Sequence, residues 1–450
     1  MVFERQIYSE LLAWKTRKDR KPLVLRGARQ VGKTTIINAL AETYKYTLLL
    51  NLERPAHKAF FEDFEDVEQI LEAIRIYFNV PKNSNEDTLL FIDEIQESPK
   101  ALQFLRYFYE DIPKLHVIGA GSLLEFAMEK IGNLPVGRVE YMYIHPFNFE
   151  EYLSALGYTE LLESLREIPS AGISHKLLLE LFHRFAIIGG MPEIIQVDIQ
   201  DKNISDLARI YDSIWVTYKS DIEKYASNNT ERNVLRHIME SAPFFLDQRI
   251  KFQGFGNSNY RSREVGEAFR NLDNARVIRL IYPTTDVEPP VRKDLKKSPR
   301  MQFLDVGLIN YSIGIQGDLI SMEDLSNAYK GALIPQIVYQ ELISKQINSS
   351  NLPYFWVREK SQSSAEVDLV KEYKNMVIPI EIKSGSSGSL KSLHQFMDKV
   401  EHPYAVRIYA GSMKIEHTNT PSGKPYILLN LPYYMGTILD KYVHWFVENN

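Results

Sequence analysis

Over its first 150 residues the chain alternates short apolar runs with stretches in which apolar residues return every three or four positions. The runs at Pro22–Arg26, Tyr46–Glu53, Thr88–Gln96, His116–Ser122 and Val139–Pro146 predict strands, and the periodic stretches between them predict helices. Alternating strand and helix units build a parallel sheet with helices on both faces. Ahead of the first strand, Phe3, Ile7, Leu11, Leu12 and Trp14 fall near helical spacing and predict an amphipathic helix.

The pattern changes at Phe147. From there to about Ser227 it is helical, broken at Gly189-Gly190-Met191-Pro192, which fits a lid on the preceding domain and equally a plain helical core. Residues 228–300 read as helix, loop, helix and strand, the outline of a winged helix-turn-helix whose second helix spans Ser262–Asn274. Beyond 300 the pattern predicts a helix at Gly331–Lys345 and a hairpin turning at Glu372–Asn375. A flexible SGSSGS loop at 384–389, a helix at 390–400 and strands at 404–411 and 424–432 complete the chain. The predicted fold is α/β in four parts: a parallel-sheet nucleotide domain at 1–146, a helical lid at 147–227, a winged-helix-like domain at 228–300 and a C-terminal α/β domain at 301–450.

Composition narrows the class. A hydrophobic content of 44% and a charged content of 25% are those of a soluble globular protein. No apolar run approaches the roughly 20 residues of a membrane span, and the opening residues lack a signal peptide's continuous apolar segment. The absence of cysteine excludes disulfides, thiolate nucleophiles and cysteine-ligated zinc, and fits the cytoplasm. The net charge of −5 hides a contrast, because residues 231–300 carry 14 Lys and Arg against 9 Asp and Glu. Arg263 and Arg270 on the second helix of that region, with Lys293, Lys296 and Lys297 in the loop VRKDLKKSPR, are candidate contacts to DNA phosphates.

The strongest chemical signal is G-x-x-x-x-G-K-T, formed by Gly27, Ala28, Arg29, Gln30, Val31, Gly32, Lys33 and Thr34, with Thr35 following. Standing between a strand and a helix, such a loop turns successive N–H groups toward the phosphates of ATP. Lys33 then reaches the β- and γ-phosphates and the Thr34 hydroxyl ligates Mg2+. The apolar run into Asp93 supplies the second metal-holding acid, and Glu94 directly after it is placed to polarise a water for hydrolysis. Ser122 is a candidate γ-phosphate sensor, against the plainer reading of a turn residue after Gly121. Arg138 is a candidate arginine finger, acting on its own nucleotide or on a neighbour's, against that of a solvated loop arginine.

Near the C-terminus, VIPIEIKSG places Glu381 and Lys383 on one face of an apolar strand, with Asp368 on the partner strand of the hairpin. Two carboxylates can hold a divalent metal and a lysine can orient the attacking water. The arrangement resembles the PD-(D/E)xK nuclease signature, with Glu341 as a candidate helix acid, and implies a restriction-endonuclease-like fold. A cross-strand salt bridge with no chemistry is the alternative.

GARQVGKTT, LLFIDEIQ, GAGSLLEF and GRVEYMYIHPFNFEEYL resemble an AAA-type ATPase family related to the signal-transducing ATPases with numerous domains. The resemblance continues through AIIGGMPEII, MQFLDVGLINYSIG, GALIPQIVYQELI and IPIEIKSG, into a C-terminal region of long-unassigned function. It implies ATP hydrolysis and a possible homo-oligomer. Two functional expectations stand side by side: an ATP-gated, metal-dependent nuclease acting on DNA, or a nucleotide-dependent switch whose nuclease-like domain only binds or dimerises. A transcription regulator reading DNA through the winged helix is a third.

Overall fold

The computed structural model describes residues 3–122, 124, 137–201, 204–226, 228–320, 331–349, 351–359, 365–385 and 389–450. Parts of GAGSLLEF (Leu123 and 125–126) and residues 386–388 of the SGSSGS loop lie outside the described residues. Among the described residues no helix is long and apolar enough to cross a membrane. The chain divides into two compact units: one of residues 1–145, 274–276 and 346–350, the other of 146–273, 277–345 and 351–450.

In the first unit, helix α1 (Gln6–Thr16) precedes β1 (Leu23–Arg26), α2 (Lys33–Ala41), β2 (Tyr46–Asn51), α3 (Pro55–Glu62) and α4 (Val67–Phe78). Then come β3 (Thr88–Asp93), α5 (Pro99–Asp111), β4 (His116–Gly121) and β5 (Glu140–Tyr143). The five strands form one parallel sheet in the order β2-β3-β4-β1-β5. Strands β3 and β4 are buried along their whole length, as continuous apolar runs in a doubly covered parallel sheet require. On one side Val24, Leu50, Ile92 and Val117 pack with Ile70 and Ile74 of α4 and Leu105 and Phe108 of α5. Placing β4 between β1 and β3 brings the loop after β1, the last residue of β3 and the residue after β4 to one edge of the sheet. That edge is where open parallel sheets bind ligands.

The second unit begins with five helices: α6 (Phe149–Ala155), α7 (Thr159–Arg166), α8 (His175–Ile188), α9 (Pro192–Asp201) and α10 (Ile204–Tyr225). They are followed by α11 (Asn229–Ser241), α12 (Ser262–Asn274), β6 (Ile278–Ile281), β7 (Pro283–Thr284) and β8 (Arg300–Phe303). Helices α13 (Val306–Ser312), α14 (Gln316–Ile320) and α15 (Leu333–Ser344) lead to β9 (Tyr354–Val357), β10 (Glu366–Tyr373) and β11 (Met376–Ile382). The unit closes with α16 (Lys391–Met397), β12 (Tyr404–Tyr409), β13 (Lys414–Asn419), β14 (Pro425–Pro432) and α17 (Leu439–Asn449). Seven strands make a mixed sheet in the order β13-β14-β12-β11-β10-β9-β7. Leu393, Phe396 and Met397 of α16 pack over Val370, Val377, Ala405 and Leu428 of that sheet.

The helical stretch considered as a lid is built into this second unit. The Asp305 carboxylate accepts the Gly190 N–H at 2.6 Å and the Leu308 N–H at 3.1 Å, and Asn310 Nδ2 donates to Ala186 O at 2.9 Å and Ile187 O at 3.0 Å. These bonds satisfy the last carbonyls of α8 and fasten the Gly189-Gly190 turn to the start of α13. A Cβ at Gly190 would lie 2.1 Å from Phe147 O, so the turn has no room for a side chain. Strands β6 and β8 pair antiparallel, Ile281 with Arg300, so a boundary at 300 divides a paired hairpin. Within that hairpin β7 leaves to join β9 in the large sheet.

Candidate functional site

The nucleotide site is assembled at the edge of the first sheet. Gln30 and Gly32 take left-handed backbone angles (φ 60 and 97°), which curl the loop before α2 starts at Lys33. A Cβ on Gly27 would stand 2.5 Å from Ile144 O, so glycine is required there. Lys33 Nζ donates to Gly27 O at 3.0 Å and Ala28 O at 2.8 Å, inside the loop. The Thr34 hydroxyl donates to Asp93 Oδ2 at 2.8 Å, bringing together the two residues assigned to the metal. Burial raises the Asp93 carboxyl pKa, with Thr34 and Lys33 opposing it. Such a set suits a phosphate and its cation: loop amides, one ammonium, one hydroxyl and one carboxylate.

Ser122 directly follows β4, and its Oγ is buried with no partner among the described residues. A buried hydroxyl without a partner at this edge fits a group that waits for a ligand oxygen. Glu94 has φ 51°, and its Oε2 accepts from Gln96 Nε2 at 2.5 Å. The Gln96 carboxamide in turn lies against Gly121, where a Cβ would come within 2.1 Å of its oxygen. Sequence reading passed over Gln96. Its only signal is a carboxamide two positions after Glu94, the candidate for water activation.

Arg138 as a residue of its own chain's site is corrected by topology. Glu140 pairs with Leu23 at the start of β1, whereas the phosphate loop follows Arg26 at the other end. Arg138 therefore stands at the opposite edge of the sheet, where its Nε donates to Glu110 Oε1 at 2.8 Å.

The C-terminal acids do meet. Leu369 pairs with Ile380, which puts Asp368 across from Glu381 at the end of the hairpin. Lys383 Nζ lies 2.6 Å from Glu381 Oε1, and Asp368 Oδ2 accepts the Ile382 N–H at 2.9 Å. Burial, and then Asp368, push the Glu381 carboxyl up to about 8. Three further residues that the sequence did not single out join them. Arg300 Nη1 lies 3.0 Å from Asp247 Oδ1, and Nη2 pairs with Glu366 and lies 3.3 Å from Asp368 Oδ1. Burial alone would lower the Arg300 pKa, but Asp247, Asp368 and Glu366 outweigh it and raise it. Asp247 and Arg300 are far from the motif in sequence, so no local pattern could have flagged them.

Glu341 is elsewhere. It is fully buried on α15, and its two carboxylate oxygens accept the Phe149 N–H at 3.2 and 3.0 Å, anchoring the first turn of α6. Neighbouring Glu150 is paired with Lys345 and with Arg166. The metal-ligand expectation for Glu341 is thus corrected: a carboxyl group committed to a buried helix terminus is a structural cap. With Arg300 among the C-terminal acids, no group of three or more His, Cys, Asp or Glu is set to hold a metal among the described residues.

On α12, Val265, Ala268, Phe269 and Leu272 are buried, which turns Arg263 and Arg270 outward to solvent. Arg263 is 88% exposed and pairs with Glu267 at 2.9 Å. Lys293 and Lys296 are exposed, and Lys297 Nζ donates to Glu359 O at 3.4 Å.

Comparison with known families agrees with the first sheet's geometry. Residues 19–153 match the model of the AAA domain family. That match covers the phosphate loop and all five strands of the first sheet. Residues 179–319 and 330–432 match two domains of unknown function (DUF8612 and DUF4143). No curated protein matches the chain. Among solved structures it is similar to a signal transduction ATPase with numerous domains bearing a tetratricopeptide repeat sensor, from Pyrococcus horikoshii. The identity is 14% and the TM-score 0.29, over 76% of this chain and 46% of that one. It is also similar to the S. cerevisiae Hsp104–ADP complex, with 15% identity and a TM-score of 0.26, over 61% and 39% of the two chains. The chain thus spans less than half the length of either, and similarity at this level carries no argument about function.

Proposed function

We propose that the protein is an ATPase that acts on DNA through a divalent-metal phosphodiesterase site in its second unit. For the first half, the observation that carries the reading is the meeting of Lys33, Thr34, Asp93 and the unpartnered Ser122 hydroxyl at one sheet edge. A bound magnesium ion would neutralise phosphate charge there, held by Thr34 and Asp93. Lys33 binds the phosphates, Glu94 holds the attacking water, and Ser122 contacts the terminal phosphate.

For the second half, the supporting observation is Asp368 across from Glu381, with Lys383 bonded to the latter. Asp368 and Glu381 would hold the metal, and Lys383 would orient the water attacking a phosphodiester. The outward Arg263 and Arg270, with Lys293, Lys296 and Lys297, would supply phosphate contacts without reading sequence. Arg138 would serve as an arginine finger only on the nucleotide of a second copy. A cleavage assay on duplex and single-stranded DNA with Mn2+, comparing the native chain with Asp368→Asn, tests the reading; equal products from both proteins would sink it.

One observation favours a second reading. Arg300 already neutralises Asp368, as it would in a switch whose nuclease-like domain binds without cutting.

A further inference from the structure

An open sheet edge offers unpaired backbone groups, and soluble proteins blunt such edges with charge, proline, brevity or a covering segment. Other edges of this chain are treated that way. The outer side of β5 is covered, because the Tyr143 N–H bonds Ile347 O at 2.7 Å. In the second unit, edge strand β13 carries Lys414 and Glu416, and edge strand β7 is two residues long and opens on Pro283. Edge strand β2, YTLLLN, has none of these devices. It holds no charge and no proline, its Leu49 is exposed, and among the described residues it pairs with β3 alone. We propose that β2 pairs antiparallel with β2 of a second copy of this chain, joining two five-stranded sheets edge to edge.

The backbone sets the register. The Leu52 N–H bonds Asp93 O at 3.0 Å, so by alternation Leu48 and Leu50 also turn their backbone groups toward β3. Thr47, Leu49 and Asn51 turn theirs to the open side. Asn51 is already bonded there, since its N–H donates to His57 Nδ1 at 2.9 Å. Thr47 and Leu49 remain, and a two-fold axis through Leu48 uses both. Thr47 of each copy then exchanges N–H and C=O bonds with Leu49 of the other. A register centred on Leu49 would instead set Thr47 against the Asn51 amide that His57 holds.

Side chains suit that pairing. Thr47 and Leu49 share one face of the strand with the flanking Lys45 and Glu53. The axis sets Thr47 against Leu49 of the other copy and brings Lys45 diagonally beside that copy's Glu53. Glu53 is half exposed beside Arg29, so a second cation can reach it. A parallel in-register pairing would set lysine against lysine and glutamate against glutamate. On the opposite face, the one covered by α3 and α4, apolar surface borders the same edge. Tyr77 lies edge-on to His57 at 5.7 Å and to Phe60 at 5.5 Å, and Tyr77 and Ile76 are both exposed. His57 is the residue that bonds Asn51 at the edge, so a second copy on β2 would cover this aromatic group.

Sedimentation velocity of the full, nucleotide-free chain over a micromolar concentration series tests this. The native chain should reach the mass of a dimer. Thr47→Pro removes an outward N–H without touching a bond to β3, and Leu49→Lys puts a charge on the exposed position. Each should weaken association about tenfold or more, with ATP binding unchanged. The sequence has no cysteine, so Leu49→Cys is a clean reporter of the register. Its two thiols would lie diagonally across the axis, about 7–8 Å apart at Cα, and a short bis-maleimide should join the copies. A native chain that stays monomeric throughout the series overturns the proposal. Association kept at native strength by folded Leu49→Lys also overturns it, whether or not Thr47→Pro folds. Dimeric Leu49→Cys protein that the reagent fails to join overturns the antiparallel pairing of β2.

Discussion

Lys383 sets its ammonium 2.6 Å from one oxygen of Glu381 and leaves the other oxygen buried without a partner. A plain cross-strand ion pair would be expected to satisfy both oxygens or leave them to water. Burial and the facing Asp368 also push this carboxyl up to about 8, so near neutral pH a proton occupies it in much of the population.

For the nucleotide site, Lys33→Ala should abolish ATP binding, because it removes the ammonium held inside the loop's curl at Gly27 O and Ala28 O. Glu94→Gln should bind ATP as before and hydrolyse it roughly 10²–10⁴ times more slowly, the span expected for loss of a general base. Equilibrium binding of a fluorescent ATP analogue, beside phosphate release, checks both. Hydrolysis at the native rate by Glu94→Gln would reassign the base.

Gln96 tests positioning separately. Its amide holds Glu94 Oε2 at 2.5 Å while its other end lies against Gly121, next to Ser122. Gln96→Ala should lower kcat by roughly 10- to 100-fold with KM unchanged, since the acid stays present but loses its fixed orientation. A rise in KM with constant kcat would instead make Gln96 a binding residue.

Glu341 makes stability depend on pH. Burial pushes its carboxyl up to about 8 from an ordinary 4.5, so the folded chain keeps a proton that the unfolded chain releases. This contribution is complete below the unfolded value and is lost as pH rises through about 8. Urea unfolding of the second unit should weaken between pH 5 and 8 by up to about 1.4 kcal/mol per pH unit from this group. Glu341→Gln, which mimics the protonated acid at the Phe149 N–H, should match the native chain at pH 5 and exceed it at pH 8. Parallel curves for the two proteins would refute this.

If the basic face of α12 meets DNA, the contacts are to phosphate. Neutralising Arg263 and Arg270 together should weaken duplex binding uniformly across sequences and reduce the slope of log affinity against log salt by about 2. Fluorescence anisotropy over a salt series measures it. An unchanged slope would return these arginines to the role of solvated surface.

The two sites were unequally legible in the sequence. Phosphate-loop chemistry is local, so Gly27 to Thr34 and the apolar run into Asp93 could be read directly, and the structure brings Thr34 and Asp93 within one hydrogen bond. Asp368, Glu381 and Lys383 were readable because a tight hairpin fixes register. What escaped is what the topology decides. Arg138 lies at the wrong edge because it precedes β5, and in a parallel sheet a residue ahead of its strand stands away from the loop that follows β1. Glu341 became a helix anchor because α15 packs near α6, almost 200 residues away along the chain. Asp247 and Arg300 enter the acid cluster through non-local contacts that no spacing encodes.

The most direct test is cleavage of duplex DNA by the full chain with Mn2+, with and without ATP, beside Lys33→Ala and Glu381→Ala. The account predicts products from the native chain only when ATP is present, and none from either variant. ATP turned over at its normal rate with no DNA cut under any condition would contradict it, and would leave the second unit as a binding module worked by the nucleotide.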